Sequence, residues 1–332
     1  MSVRELTYVE ALNEALKEEM RRDGSVVVFG EEVALSGGVY KVTKDLLKEF
    51  GPSRVMDTPI SEIAIVGAAI GAALNGLRPV AEIMFFDFAG IAFDQIVTHA
   101  SKIRFTSGGQ LKLPLVIRTQ YSLGRSYGSQ HTQFFAASFL QAPGLKIVLP
   151  STPYDAKGLL KSAIRDDDPV LFIESGALYV NKNYYGYKGA VPQEEYLIPL
   201  GKADVKRRGD DVTVVAVSRT VSEAIAASKT LEQEGINAEV VDLRTIQPMD
   251  YETVVQSVRK TNRLVIAEDS VKTGGISAEV AAYVAEYALD ALEGPIIRVN
   301  SPPMPAPQSQ PLEKQYMVSA EKIVDAVKKL VK

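Results

Sequence analysis

"MDTPISEIAIVGAAIGAALNG", residues 56–76, sets a carboxylate, Glu62, at the head of a run from Ile63 to Leu74 in which every residue is apolar or glycine. Ser61 supplies a capping hydroxyl and Pro59 fixes the chain direction just upstream, so a helix is expected to start here. Glu62 then falls in the first turn, where the helix dipole stabilises an anion. Acidic first turns are routine, and that role alone would account for the residue. The run beyond it has no polar face, however, and such a helix is expected to be buried all round. A carboxylate at its mouth is then desolvated and suited to exchanging a proton near neutral pH. Gly67 and Gly71, four apart, flatten one face and permit close approach of another helix, within the chain or across a subunit boundary.

Outward from this helix the chain alternates short β-rich runs with helical patterns. "VVVF", "RVMDTP", "RPVAEIMFF", "LPLVIRT", "LKIVLP" and "PVLFIE" read as strands. Between them lie helices near 7–22, in "TKDLLKEF", from Ser61, across "FAGIAFDQIVTHASKIRF" and near 153–165. That rhythm predicts a parallel sheet covered on both faces. Residues 181–200, "NKNYYGYKGAVPQEEYLIPL", have no periodicity and read as a connection. Beyond them the alternation restarts with "DVTVVAVS", "AEVVDLRT", "RLVIAEDS" and "PIIRVN", and ends in a helix near 319–331. The expected fold class is α/β, with two parallel-sheet domains over 1–185 and 201–332 joined by a linker at 186–200. "SPPMPAPQSQP", 301–311, reads as a Pro-rich loop.

Composition narrows the function. The chain has 332 residues, 46% hydrophobic and 23% charged, which suits globular domains and excludes a disordered or fibrous protein. A net charge of −4, with Lys and Arg scattered over helical faces, argues against nucleic acid as a partner. The absence of cysteine removes disulfides, thiolate zinc sites and a cysteine nucleophile. The N-terminal pattern is amphipathic, unlike a signal peptide, and no apolar run is long enough for a bilayer. A soluble, cytoplasmic protein is expected, with no membrane association.

Few residues stand out as reactive. Of the two histidines, His99 lies beside an apolar helical stripe and reads as structural. His131 lies in "YSLGRSYGSQHTQFF", a polar glycine-rich loop where functional groups concentrate. No G-x-G-x-x-G after a strand, Walker or G-x-S-x-G pattern occurs. "TGG" before Ile276 reads as a turn, although a helix N-terminus can hold an anion. "RDDDP", 165–169, reads as a solvated loop, although hard cations favour such oxygens.

The strings "GEEV", "DTPISE", "GLRPVAEIMFFDF", "SGGQLKLPLVIR", "SQHTQ", "PGLKIVLPSTPYDAKGLLKSAIRDDDPV", "IPLGKADV" and "VVDLRTIQPMD" occur in order along nearly the whole chain. Together they resemble the beta subunit of the thiamine-diphosphate-dependent, decarboxylating first component of 2-oxo acid dehydrogenase complexes. The resemblance implies a pyrimidine-binding domain followed by a transketolase C-terminal-type domain. It implies an alpha subunit as partner in a two-plus-two heterotetramer, with thiamine diphosphate across the interface. Magnesium and the diphosphate would be held by the alpha subunit through a Gly-Asp-Gly motif, which this chain lacks. The acyl acceptor would be the lipoyl arm of the second component, a lipoyl acyltransferase whose subunit-binding domain docks on the C-terminal domain.

The same resemblance assigns residues. Glu62 would hydrogen-bond a nitrogen of the cofactor's aminopyrimidine and favour the tautomer that removes the thiazolium proton. Phe88 would stack on the pyrimidine, Ile60 and Met84 would shape its pocket, and Glu31 of "GEEV" would be a second acid near it. His131 matches a histidine that assists substrate positioning or acyl transfer. A potassium site would draw on Asp166 and Asp168 with the carbonyls of Leu115, Ala163 and Ile164; some relatives carry Asn where Asp168 stands. The implied reaction is oxidative decarboxylation of pyruvate or a branched-chain 2-oxo acid, with a slight lean to broad or branched-chain use. The alternative is an acetoin dehydrogenase beta subunit or another split transketolase-like thiamine enzyme.

Overall fold

The structure, a computed structural model, describes residues 3–179 and 187–331. The chain divides into two compact units, one of residues 1–122 and 139–200, the other of 123–138 and 201–332.

The first unit runs β1 (Val3–Thr7), α1 (Tyr8–Arg22), β2 (Val26–Gly30), α2 (Leu46–Phe50), β3 (Val55–Asp57), α3 (Glu62–Leu74), β4 (Arg78–Ile83), α4 (Ile103–Thr106), β5 (Val116–Tyr121), β6 (Lys146–Val148), α5 (Pro153–Arg165), β7 (Val170–Ser175), α6 (Gly176–Tyr179) and β8 (Lys188–Pro192). Six of its strands lie side by side in the order β6-β7-β5-β4-β2-β3, every neighbouring pair parallel. β2, β5 and β7 are buried along their whole length; β2 and β7 have the near-continuous apolar runs this requires, while β5 buries Arg118, Thr119 and Gln120 as well.

On one face α1 packs on α5. Thr7 and Glu10 start α1 with a capping box, and Tyr8, Ala11, Leu12, Ala15, Leu16 and Met20 form its buried stripe. Beneath that stripe Lys157 and Lys161 are buried, and Glu18 accepts hydrogen bonds from both. Burial alone would raise the Glu18 carboxyl; the two lysines outweigh it and hold the group below its ordinary value.

α3 begins at Glu62 as expected, but the expectation of burial all round is corrected. One face is buried, through Ile65, Val66, Ala69, Ile70 and Ala73. The other is open: Ile63 is 49% and Leu74 40% exposed, and a Cβ on Gly67 or Gly71 would touch nothing. Three further differences have local causes. The helix expected across 88–105 is broken into a 3₁₀ turn at Phe86–Gly90, a π-helical turn at Gln95–Ala100 and α4. Within it the Ser101 hydroxyl donates to the Val97 carbonyl at 2.7 Å, competing with the helical ladder. Part of the expected connection at 181–200 is β8, paired antiparallel with β1. Its first residues, with the expected border at 185–186, lie outside the described residues.

The second unit runs β9 (Asp204–Arg207), β10 (Val212–Ala216), α7 (Thr220–Glu232), β11 (Ala238–Asp242), β12 (Thr245–Gln247), α8 (Tyr251–Thr261), β13 (Leu264–Val271), α9 (Ile276–Tyr287), β14 (Ile297–Ser301), α10 (Gln310–Tyr316) and α11 (Ala320–Val331). Its sheet is ordered β14-β13-β10-β11-β9, parallel except for the edge strand β9. Val214, Val240, Val265 and Ala224 share its core with Ile323 and Val327 of α11. The Pro-rich loop read at 301–311 ends in α10, with Pro311 in the first turn, where a missing N–H costs nothing. Among the described residues no helix is long and apolar enough to cross a membrane.

Gly158 offers a test of this packing. A Cβ there would lie 2.6 Å from Ile198 Cγ1 and 2.7 Å from Tyr196 Cε2. An exposed helical Gly→Ala change stabilises by about 1 kcal/mol. Gly158→Ala should instead destabilise by about 1–3 kcal/mol, read as a lower urea midpoint with unchanged m.

Candidate active site

The site in the first unit stands at the carboxyl ends of three neighbouring parallel strands, β3, β2 and β4. Such ends are where open α/β sheets bind ligands. Gly30, the last residue of β2, lies opposite Glu82 of β4. A Cβ on Gly30 would come within 2.6 Å of the Glu82 carbonyl oxygen, so only glycine lets the strands close here. Glu31 follows at once. The Asp57 carboxylate, ending β3, accepts the N–H groups of Ala34 at 2.7 Å and Leu35 at 3.1 Å. The Thr58 N–H donates to the Gly30 carbonyl at 2.9 Å. The two turns leaving β2 and β3 are therefore tied together.

Glu62 is 6% and Glu31 9% exposed. Burial, then the charges of Glu62 and Glu82, push the Glu31 carboxyl above its ordinary value. Glu31 Oε1 is buried and, among the described residues, has no hydrogen-bond partner. Met84 and Phe88, half-buried, follow the end of β4, and the Phe88 ring stands edge-on to Phe85 at 5.8 Å. Ile60, 82% exposed, precedes α3. The structure thus brings Glu31, Ile60, Glu62, Met84 and Phe88 to one sheet end. An apolar ledge beside two buried carboxylates, one with an unsatisfied oxygen, fits a flat heterocycle with ring nitrogens.

Below this ledge lie residues that motif reading missed. Arg118 of β5 is fully buried and donates from Nη1 to Glu82 Oε2 at 2.6 Å. Its Nε and Nη2 grip both oxygens of Glu174 on β7, each at 2.7 Å, and the Tyr179 hydroxyl donates to Glu174 as well. Burial pushes the Glu174 carboxyl up, yet three donors converge on its two oxygens, an arrangement suited to the carboxylate. The signal was present: charged residues inside apolar strands, "LVIRT", "VAEIM" and "VLFIES".

His131 belongs to the segment grouped with the second unit. Its N–H reaches the Gly128 carbonyl at 3.4 Å. Glu313 of α10, buried, accepts the N–H groups of Gly124 and Ser126 at 2.9 Å each. Nothing local in sequence pointed to Glu313, which lies 189 residues from Gly124. His99 is exposed, 3.5 Å from Asp94, and not packed in the core.

The residues of the expected potassium site are engaged by cations of the chain itself. Lys146 Nζ lies 2.7 Å from each Asp166 oxygen and 3.3 Å from Asp168 Oδ2. Arg104 also pairs with Asp168. The carbonyl of Ile164 accepts from Arg78 at 3.1 Å, that of Leu115 from the Val170 N–H at 2.8 Å, and that of Ala163 from the Asp166 N–H at 3.3 Å. An ammonium thus stands between the two carboxylates, and guanidinium groups neutralise the rest. As folded, this set does not fit potassium.

Comparison with known proteins gives the class first. Residues 4–181 match the transketolase pyrimidine-binding domain family and residues 201–323 the transketolase C-terminal domain family. The chain is 46% identical to the 2-oxoisovalerate dehydrogenase subunit beta of Bacillus subtilis (strain 168), covering 98% of each. It is 44% identical to the acetoin:2,6-dichlorophenolindophenol oxidoreductase subunit beta of the same organism, over 99% of this chain and 98% of that one. It is 45% identical to the pyruvate dehydrogenase E1 component subunit beta of Gracilaria tenuistipitata var. liui, over 98% and 99%. A solved structure described as a split gene transketolase, inactive beta4 tetramer, superposes with a TM-score of 0.79 at 26% identity, covering 98% of both chains. The chain belongs to the family of 2-oxo acid dehydrogenase first-component beta subunits, which these comparisons join to the acetoin-oxidising beta subunits.

Two outcomes follow from these contacts. Glu313→Ala strands two backbone N–H groups and should cost about 1–3 kcal/mol. Limited proteolysis should then cut first within residues 123–138. The wild-type melting temperature should be equal in potassium and sodium chloride, and Lys146→Met should lower it.

Proposed function

We propose that this chain is the beta subunit of a thiamine-diphosphate-dependent enzyme that oxidatively decarboxylates a 2-oxo acid and passes the acyl group to a lipoyl acceptor. The observation that carries the reading is Glu62, buried in the first turn of α3 beside buried Glu31, in a chain matching such beta subunits over nearly its full length. Bound thiamine diphosphate would supply the nucleophile and the electron sink. The chain's own residues orient and hold protons. Glu62 accepts or shares a proton at a pyrimidine ring nitrogen, in a low dielectric that strengthens the hydrogen bond. Phe88 stacks on the ring, Ile60 and Met84 bound it, and Glu31 is a second acid beside it. His131 assists substrate positioning or acyl transfer.

The open, glycine-flattened face of α3, continuous with the site through Ile63, supports an alpha partner that completes the cofactor site and carries magnesium. Within this proposal the chain comprises a pyrimidine-binding domain to residue 185, a linker and a C-terminal domain from 201, and works in the cytoplasm. A lipoyl acyltransferase takes the product acyl group. Branched-chain acids and pyruvate are the first substrates to test, and acetoin is the alternative, because relatives of each kind match almost equally.

The test is turnover of pyruvate, 4-methyl-2-oxopentanoate and acetoin by the chain co-expressed with its alpha partner, with thiamine diphosphate and magnesium. Glu62→Ala should lower kcat by about 10²–10⁴-fold while assembly is unchanged. Turnover of acetoin alone would replace the 2-oxo acid reading, and full activity in Glu62→Ala would remove Glu62 from it.

A further inference from the structure

Away from the ledge, the first unit has an open cleft of about 550 Å³ bounded by β1, one side of α1 and the turn at 41–44. That volume is in the range of small-molecule sites. Glu10, Asn13, Glu14, Lys17, Glu18 and Arg21 reach it from α1, at the three- and four-residue intervals that share a helix side. Asn13 Nδ2 donates to the carbonyls of Val42 at 2.6 Å and Lys44 at 3.0 Å, which ties the turn to the helix and brings Lys41 and Lys44 to the same cleft. Leu6 and Val9, half-buried, add apolar surface.

The acids of the cleft are already engaged. Glu14 accepts from Arg4 and from Lys157, and Glu18 accepts from Lys157 at 2.7 Å and Lys161 at 2.5 Å, so buried ammonium groups neutralise both from beneath. Glu10 accepts the Thr7 N–H at 2.8 Å in the capping box. The cations are less well matched. Arg21 pairs with Glu49, and the Lys41 ammonium donates to the Ser36 carbonyl at 2.7 Å. Arg4 Nε has no acceptor, and the ammonium groups of Lys17 and Lys44 have no partner, among the described residues. Among the lining residues and their direct ion-pair partners, seven cations meet four carboxylates, on a chain of net charge −4. Burying two ammonium groups is costly, and its effect here is to take Glu14 and Glu18 out of competition for the lysines at the rim.

We propose that this cleft binds a phosphorylated small molecule of nucleotide size, with Lys17, Lys41 and Lys44 on its phosphates and Leu6 and Val9 under its apolar body. Lysine binds phosphate as a point charge, and a group of lysines suits a ligand that carries several charged oxygens. The site shares no residue with the ledge, and the proposal does not rest on the thiamine reading.

The test is isothermal titration calorimetry of the full chain with adenosine triphosphate, without magnesium, at low and at physiological salt. Binding should weaken as salt rises. Lys17→Gln combined with Lys44→Gln should lower affinity about tenfold at low salt and leave the ligand-free melting temperature unchanged. Lys229→Gln, an exposed change on α7 in the second unit, should leave affinity as it is. Inorganic tripolyphosphate, which has no apolar body, should bind more weakly than adenosine triphosphate; equal affinity overturns the nucleotide-sized ligand. Absence of binding at millimolar adenosine triphosphate, or binding that the double variant leaves intact, overturns the proposal. Binding of a polyglutamate peptide where both phosphate probes fail also overturns it and assigns the cleft to an acidic segment of a partner protein.

Discussion

A guanidinium at the centre of a parallel sheet is tolerable only if carboxylates meet it on the neighbouring strands, and Arg118 meets two. Breaking such a buried group by losing one partner costs about 3–5 kcal/mol. The side-chain period of a strand is two, so sliding β4 or β7 by one residue would drive Glu82 or Glu174 into the opposite, apolar layer. The pairing of Arg118 with both therefore fixes the register of β4, β5 and β7. Register in turn fixes the site. Once Glu82 is placed, Gly30 must lie against its carbonyl, Glu31 must emerge just beyond, and the Thr58 bond to Gly30 sets where α3 and Glu62 begin.

Legibility in the sequence followed the range of the forces involved. α3, α1, α5 and the central strands are dictated by nearest-neighbour patterns; the helix limits were readable within a residue or two, while those of β4 and β5 were missed by three at one end. Glu62 was readable as unusual because a carboxylate beside an unbroken apolar run is a local conflict. What it touches was not, and its partners came through resemblance. β8 was hidden because a strand in a two-stranded sheet needs only its partner β1, far away in sequence. The long helix at 88–105 failed for a related reason: apolar periodicity continued, but Ser101 turned its hydroxyl back on the ladder. The burial of only one face of α3 was equally beyond reading. Composition reports that a surface is apolar, never whether a neighbour belongs to the same chain.

Charge clusters were the most ambiguous feature to read. "RDDDP" suggested a hard-cation loop, and the same acids are instead neutralised by Lys146, Arg104, Arg78 and Lys112. Sequence counts carboxylates along the chain, but whether they form a metal cage depends on which ammonium the fold delivers from elsewhere. Lys146 opens β6, twenty residues before Asp166, with no motif linking them. By contrast the acids at Arg118 are matched by one cation for two carboxylates. An excess of negative charge is thus kept at the ledge and removed at the loop.

On the proposed reading the chain is one half of a catalyst. Glu31 and Glu62 belong to the first unit and the loop of His131 to the second, where Glu313 pins two of its N–H groups. The chain lacks the Gly-Asp-Gly motif of the diphosphate and magnesium end. It has, however, two buried acids at one end of its first sheet, Glu31 and Glu62, the former with an unsatisfied oxygen among the described residues. Hydrophobic pockets separate substrates by only about 10–200-fold per methylene, and on the proposed reading Ile60, Met84 and Phe88 would serve the ring. On the proposed reading, specificity between a branched and a short 2-oxo acid would come largely from the alpha partner. A shared cofactor half with an exchangeable substrate-binding half would, on that reading, explain how beta subunits of pyruvate, 2-oxoisovalerate and acetoin enzymes each match this chain at 44–46% identity.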